Sequence, residues 1–249
     1  MKQLVLPAGC RSDDLVVLSG REHHYLARVR RIAVGEQLFA LDGAQKLCLQ
    51  VTSVTAETTQ LRVVEIKTQK SNGPKIVLFP FLLKAGKLDD VIRQACEAGV
   101  SAIVPVVGDH CVARSVADDG ERKATRWSVI AKEAAQQSGS SGVCEVHPPI
   151  TSREIASKWN SGGPLLFCHQ VPLDKGSLHR YLSPRPDQVG LVIGPEGGLS
   201  PAEVVELRAR GALPVWFGPF VLRAETASLY AVAAVNTILQ EPREWTILQ

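Results

Sequence analysis

Residues 189–240 read VGLVIGPEGGLSPAEVVELRARGALPVWFGPFVLRAETASLYAVAAVNTILQ, and this stretch decides the fold. It holds two segments built alike. A short apolar run leads into Gly194-Pro195-Glu196-Gly197-Gly198, and a second leads into Gly218-Pro219 and on to Arg223, Glu225 and Thr226. Each segment then opens a helix. Glycine lets the backbone take positive φ and approach a ligand, and proline fixes the turn. Either loop alone reads as a tight β-to-α connection. Their repetition, with Glu196, Arg223 and Glu225 set among the glycines, points to a moulded pocket.

Ser200-Pro201-Ala202-Glu203 is a capping box with proline at the first helical position, so a helix starts sharply after the first loop and runs to Arg210. Its N-terminus is expected to project positive dipole near Glu196. The last helix, Glu225 to Gln240, is apolar nearly all round and is expected to be buried in the domain core or against a partner subunit.

Upstream of this stretch, strands and helices alternate from Ile76 onward. Strands are expected at Ile76–Leu83, Ala102–Val107, Val143–His147, Pro164–Cys168, Val189–Ile193 and Leu213–Phe217. Helices are expected at Lys87–Ala98, Arg122–Ser138 and Arg153–Trp159. This alternation predicts a mainly parallel sheet covered on both faces, an α/β fold with ligands at the carboxyl ends of its strands.

Residues 1–70 follow a different rhythm. Gln37–Leu41 and Lys46–Val54 flank Asp42-Gly43-Ala44, a hairpin signal, and Gln60–Ile66 continues the β pattern. Gly20–Arg31 reads as a short helix with His23, His24, Arg28 and Arg31 partly on one face. The adjacent histidines are expected to diverge, one packed and one solvated. A small β-rich, barrel-like domain over 1–70 is followed by a polar linker, Lys67–Pro74, and a second domain over 75–249.

The 45% hydrophobic and 21% charged composition is that of a globular chain. The net charge of +3 lies entirely in the first 70 residues, which carry ten Lys/Arg against seven Asp/Glu; the remainder carries eighteen of each. Arg28, Arg30 and Arg31 form the densest basic cluster, suited to a phosphate-facing surface or a solvated face. The six cysteines are scattered without C-x-x-C or zinc-ligand spacing, which leaves no metal site and fits a reducing cytoplasm. No apolar run approaches the roughly 20 residues of a membrane span, and the N-terminal apolar core is too short for a signal peptide. Walker A, G-x-G-x-x-G, G-x-S-x-G and H-E-x-x-H motifs are all missing, which disfavours nucleotide hydrolysis, hydride transfer and serine or zinc hydrolysis.

IGPEGGLS followed by FGPFVLRAETA resembles the RsmE-type branch of the SPOUT methyltransferases. The likeness extends to Glu22-His23-His24, to Val29-Arg30-Arg31 leading into Gly35-Glu36, to Lys84–Val100 and to Glu133–Ser138. It implies a PUA-like RNA-binding barrel over 1–70 and a trefoil-knotted methyltransferase domain over 75–249 that dimerises. It further implies S-adenosylmethionine as cofactor and N3 of one uridine near the 3′ end of 16S rRNA in the 30S subunit as target. By the same resemblance the cofactor pocket is made from the loop after Leu165–Cys168, from Gly194–Gly198 and from Phe217–Ala227, with Phe167, Cys168, Gly194, Pro195, Gly197, Gly198, Phe217, Gly218, Leu222, Thr226 and Ala227 as the cofactor contacts.

For that reaction, Arg223 is expected to stabilise the developing uracil anion, and Glu196 or Glu225 to accept the N3 proton. The plainer readings are a helix-terminal carboxylate for Glu225 and a salt bridge from Arg223 to Glu225 or Glu196. Lys2, Arg28, Arg30 and Arg31 are the expected phosphate contacts. The chain departs from the family pattern at Gly139–Cys144, where arginines and a proline are common, and at Gln94, where lysine is usual. Those departures keep two alternatives open, a SPOUT enzyme with another RNA target and a non-catalytic RNA-binding or ribosome-assembly protein.

Overall fold

The structure is a computed structural model that describes residues 3–43, 45–68, 73–111, 120–159 and 162–241. Two compact units make up the chain: Met1–Ser71 with Ala135–Val143, and Asn72–Ala134 with Cys144–Gln249.

The first unit carries β1 (Leu4–Val5), β2 (Arg11–Ser12), β3 (Leu15–Ser19), α1 (Gly20–His24), β4 (Gln37–Asp42), β5 (Gln45–Val54) and β6 (Thr58–Thr68). They form one sheet in the order β1-β4-β5-β6-β3-β2, antiparallel except for β1 against β4. Alternate residues of β5, Leu47, Leu49 and Val51, point into a core completed by Val16, Leu18, Leu26 and Leu61. The buried amide of Gln3 donates to the carbonyls of Ala135 and Ser140, which ties the Ala135–Val143 segment to β1.

The expected helix Gly20–Arg31 forms, but not as one α-helix. After α1 it widens into a π-helical turn, Tyr25–Arg30, and stops at Arg31 in the left-handed conformation, φ 54°. The wider turn breaks the α-helical spacing on which a shared histidine–arginine face relied. His23 is buried, bonded to Thr59 Oγ1 at 2.8 Å and the Ala56 carbonyl at 3.2 Å, while His24, Arg28, Arg30 and Arg31 are exposed. Lys2, Ala44 and part of the expected linker lie outside the described residues.

In the second unit follow β7 (Lys75–Pro80), α2 (Lys87–Glu97), β8 (Ala102–Ile103), β9 (Val106–Val107), α3 (Gly120–Ser138), whose last turn belongs to the first unit, β10 (Glu145–Val146), β11 (Ile150–Thr151), α4 (Ile155–Lys158), β12 (Leu165–Cys168), α5 (Leu178–Leu182), β13 (Gln188–Ile193), α6 (Pro201–Ala209), β14 (Leu213–Val215) and α7 (Ala224–Gln240). The main sheet is wholly parallel, in the order β10-β8-β7-β13-β12-β14. Five of the six residues of β13 are buried, as a strand covered on both faces requires. Among the described residues no helix is long and apolar enough to cross a membrane.

Two expectations change here. Ala102–Val107 is not one strand. Pro105 lacks an N–H to donate, so β8 stays in the main sheet while β9 pairs with β11 in a separate ribbon. The last helix is buried on one side only, through Ala224, Ser228, Ala231, Val232, Val235 and Leu239; Leu229 and Tyr230 are exposed on the other.

Gly190, in the central strand β13, sits where a Cβ would lie 2.7 Å from Leu165 Cδ1 and 3.0 Å from the Trp159 ring. Gly190→Ala overpacks this layer and is expected to lower stability by about 1–3 kcal/mol, read as a lower urea midpoint with an unchanged m-value.

Candidate active site

Because β13, β12 and β14 are adjacent and parallel, the loops leaving their carboxyl ends converge. They enclose a cavity of about 350 Å³. Cys168, Gly194, Pro195, Gly197, Gly198, Phe217, Gly218, Leu222 and Ala227 line it together with Glu196 and Arg223. His169, Gln170, Phe220 and Val221, which fall within the expected pocket loops, and Leu199, which does not, join them. Phe167 and Thr226, expected in the pocket, do not line it. Phe167 is one strand residue before Cys168, so its side chain points to the opposite face and is wholly buried in the core. Thr226 precedes Ala227 on α7 and falls on the exposed side of the helix.

The first loop owes its shape to a turn and a clamp. The Gly198 N–H donates to the Pro195 carbonyl at 2.8 Å, and Gly198 takes φ 73°, a conformation costly for residues with a Cβ. Behind it the capping box forms: Glu203 N–H donates to Ser200 Oγ, and Ser200 N–H donates to Glu203 Oε2 at 2.8 Å. Glu203 is buried, and its second oxygen accepts the Asp109 N–H at 2.9 Å. Ser200 Oγ in turn donates to Asp109 Oδ2 at 2.6 Å. His110 Nδ1 lies 3.0 Å from the Gly198 carbonyl, which makes that nitrogen the donor. The cap of α6 thus fastens the loop to residues 108–111.

Charge in the site departs from the plainer of the two sequence readings, the Arg223 salt bridge. Glu196 and Glu225 do not pair with Arg223. Both meet Lys87, the first residue of α2, with Nζ 3.7 Å from Glu196 Oε1 and 3.4 Å from Glu225 Oε1. Glu196 Oε1 also accepts the Lys84 N–H at 3.4 Å. The turn that presents both groups contains two consecutive left-handed residues, Ala85 at φ 52° and Gly86 at φ 75°. For Ala85 that conformation costs roughly 1–2 kcal/mol. Arg223 is the exposed N-cap residue of α7, and among the described residues its guanidinium has no hydrogen bond or ion pair.

Three titrating groups are shifted here. Burial pushes the Cys168 thiol up to about 12 and raises that of Cys111. The Glu225 carboxyl is held below its ordinary value of 4.5, first by its own backbone N–H and then by the Lys87 ammonium. Its Oε2 is buried without a hydrogen-bond partner among the described residues. Lys87 left no signal in sequence spacing, since it meets its carboxylates only through tertiary packing.

A carboxyl whose folded value is depressed stabilises the fold above its unfolded value and loses that contribution as pH falls through the folded value. Glu225→Gln is therefore expected to melt below the parent at neutral pH, with the gap closing as the pH drops below 4.5. Thermal unfolding followed across that range checks the sign.

Residues 69–236 match the family model for the RNA methyltransferase domain. Ribosomal RNA small subunit methyltransferase E of Synechocystis sp. is 31% identical over 232 residues, covering 92% of this chain and 75% of that protein. The protein of the same name from Bacillus subtilis is 28% identical over 227 residues, 88% of each chain. The crystal structure of a ribosomal RNA small subunit methyltransferase E from Neisseria gonorrhoeae bound to S-adenosyl methionine is 25% identical. It superposes with a TM-score of 0.81, covering 96% of this chain and 98% of that one. This chain belongs to the RNA methyltransferase domain family, and within it to the type of the ribosomal RNA small subunit methyltransferase E enzymes.

Proposed function

We propose that the protein transfers a methyl group from S-adenosylmethionine to N3 of one uridine near the 3′ end of 16S rRNA. The observation that carries this reading is the unpaired Arg223 guanidinium on the rim of a cavity built from glycine loops.

The cavity suits the cofactor. Its volume lies in the range of small-molecule sites, about 300–1,000 Å³. Phe217, Leu222, Ala227 and Leu199 offer apolar surface, and the backbone of Gly194–Gly198 offers polar groups at close approach. When bound, the cofactor supplies an electrophilic methyl group on a sulfonium. The chain's own residues do the rest. Arg223 donates to the uracil carbonyl oxygens and stabilises the anion left by loss of the N3 proton. Glu196, the more exposed carboxylate and part of the cavity wall, accepts that proton directly or through water. Glu225, tied to Lys87 and held below its ordinary value, serves as a counter-ion instead of a base.

The target nitrogen lies on the Watson–Crick edge, so the uridine must be unpaired or flipped to reach the cavity. We assign the first unit as a PUA-like RNA-binding barrel, with the exposed Arg28, Arg30 and Arg31 on phosphates and the 30S subunit as partner. The SPOUT trefoil knot is supported by the order of the sheet, in which β14 returns to pair with β12 on the side away from β13. A homodimer is supported by the exposed apolar side of α7, Leu229 and Tyr230, and by Phe220 and Val221, which are 81% and 72% exposed. A substrate in the ribosome places the reaction in the cytoplasm.

The test is incubation with labelled S-adenosylmethionine and undermethylated 30S subunits or free rRNA, followed by digestion and mass spectrometry of the product. Label in 3-methyluridine at a single small-subunit site is the expected result. Another nucleoside points to a different RNA target, and cofactor binding without transfer points to a non-catalytic protein. Arg223→Ala is expected to reduce transfer by about 100-fold or more with the fold intact; near-normal turnover would overturn its role. Arg30→Ala combined with Arg31→Ala is expected to weaken RNA binding and flatten its salt dependence by up to about two units of slope, leaving cofactor affinity unchanged.

A further inference from the structure

We infer that Lys87 is a positioning residue for this reaction: by holding Glu225, it leaves the Arg223 guanidinium unpaired and facing the cavity. The inference deepens the role of Arg223 proposed above and rests on it.

Arg223 and Glu225 are two residues apart at the start of α7, close enough for the arginine's charge to act on the carboxyl. A guanidinium is the better geometric match for a carboxylate, because its planar fork donates two parallel bonds where an ammonium offers a point charge. Glu225 moreover has acceptor capacity to spare, since its Oε2 is buried and unpartnered among the described residues. Local chemistry therefore favours an Arg223–Glu225 pair. Instead Lys87 Nζ stands 3.4 Å from Glu225 Oε1, and the side chains are only 36% and 24% exposed.

The placement of Lys87 has no local explanation. A cation in the first turn of a helix opposes the helix dipole, which Asp89 and Asp90 in the same turn complement. The left-handed Ala85-Gly86 turn sets the start of α2 against the first glycine loop, where the Lys84 N–H meets Glu196. An unfavourable helix position reached through a strained turn makes sense if the ammonium is needed beside the carboxylates. Without it, Arg223 becomes the nearest cation to Glu225, while Glu196 keeps the bond from Lys84. The substrate-facing charge would then be drawn to the helix start.

The test reads Arg223 directly. In protein labelled with ¹⁵N-arginine, the Nε–Hε resonance of Arg223 is assigned by its loss in Arg223→Lys. Lys87→Met is expected to shift this resonance and slow its hydrogen exchange as the guanidinium pairs with Glu225. Lys87→Met with Glu225→Gln is expected to return it to the parental position. In the methylation assay, Lys87→Met lowers kcat by about tenfold or more with little change in cofactor affinity, and the double variant recovers most of the loss. Lys87→Arg keeps most of the activity, and Lys87→Gln reads the same contact should the methionine variant fold poorly. An unmoved Arg223 resonance in the Lys87 variants, or a double variant as slow as Lys87→Met, would overturn the inference. Absence of transfer by the parent protein would instead overturn the function proposed above, and the resonance would still report on Lys87.

Discussion

Parallel pairing of β12 with β13 on one side and β14 on the other is the constraint on which the site depends. Parallel strands end at the same edge of a sheet, so two loops separated by the whole of α6 in sequence are neighbours in space. Neither glycine loop encloses a cavity alone. The interior pays attention to this edge as well: the buried Glu203 carboxylate accepts N–H groups from both Ser200 and Asp109, and so joins the cap of α6 to the segment after β9. A buried carboxylate is tolerable only when its oxygens are satisfied in this manner.

Against that rigid frame, the charges divide into two classes. Lys87 is shared by Glu196 and Glu225, one ammonium against two carboxylates, all three side chains partly buried. Arg223 brings the four charges to zero, yet its guanidinium stands apart from both carboxylates on the cavity rim.

Much of this was legible in the sequence because it is local. The capping box at Ser200–Glu203, the strand–helix alternation and the two glycine loops are patterns within a few residues, and apart from the strand at Ala102–Val107 each appears where the pattern puts it. What was lost in reading depends on direction or distance. Phe167 was grouped with Cys168, although alternate strand residues face opposite ways, and Thr226 with Ala227, although neighbours on a helix lie about 100° apart. Pro105 divides a run that hydropathy reads as continuous. The plainer reading of Arg223, a salt bridge to Glu225 or Glu196, looked for partners nearby in the chain, whereas Lys87 arrives from a helix more than a hundred residues earlier.

The depressed acidity of Cys168 has a chemical consequence for such a cavity. A sulfonium methyl donor is an alkylating agent, and a thiolate at the wall would compete with any incoming base for the methyl group. Burial pushes the Cys168 thiol up to about 12, which keeps it in the neutral, weakly nucleophilic form at neutral pH. A buried, protonated thiol at the wall therefore presents no thiolate to the cavity.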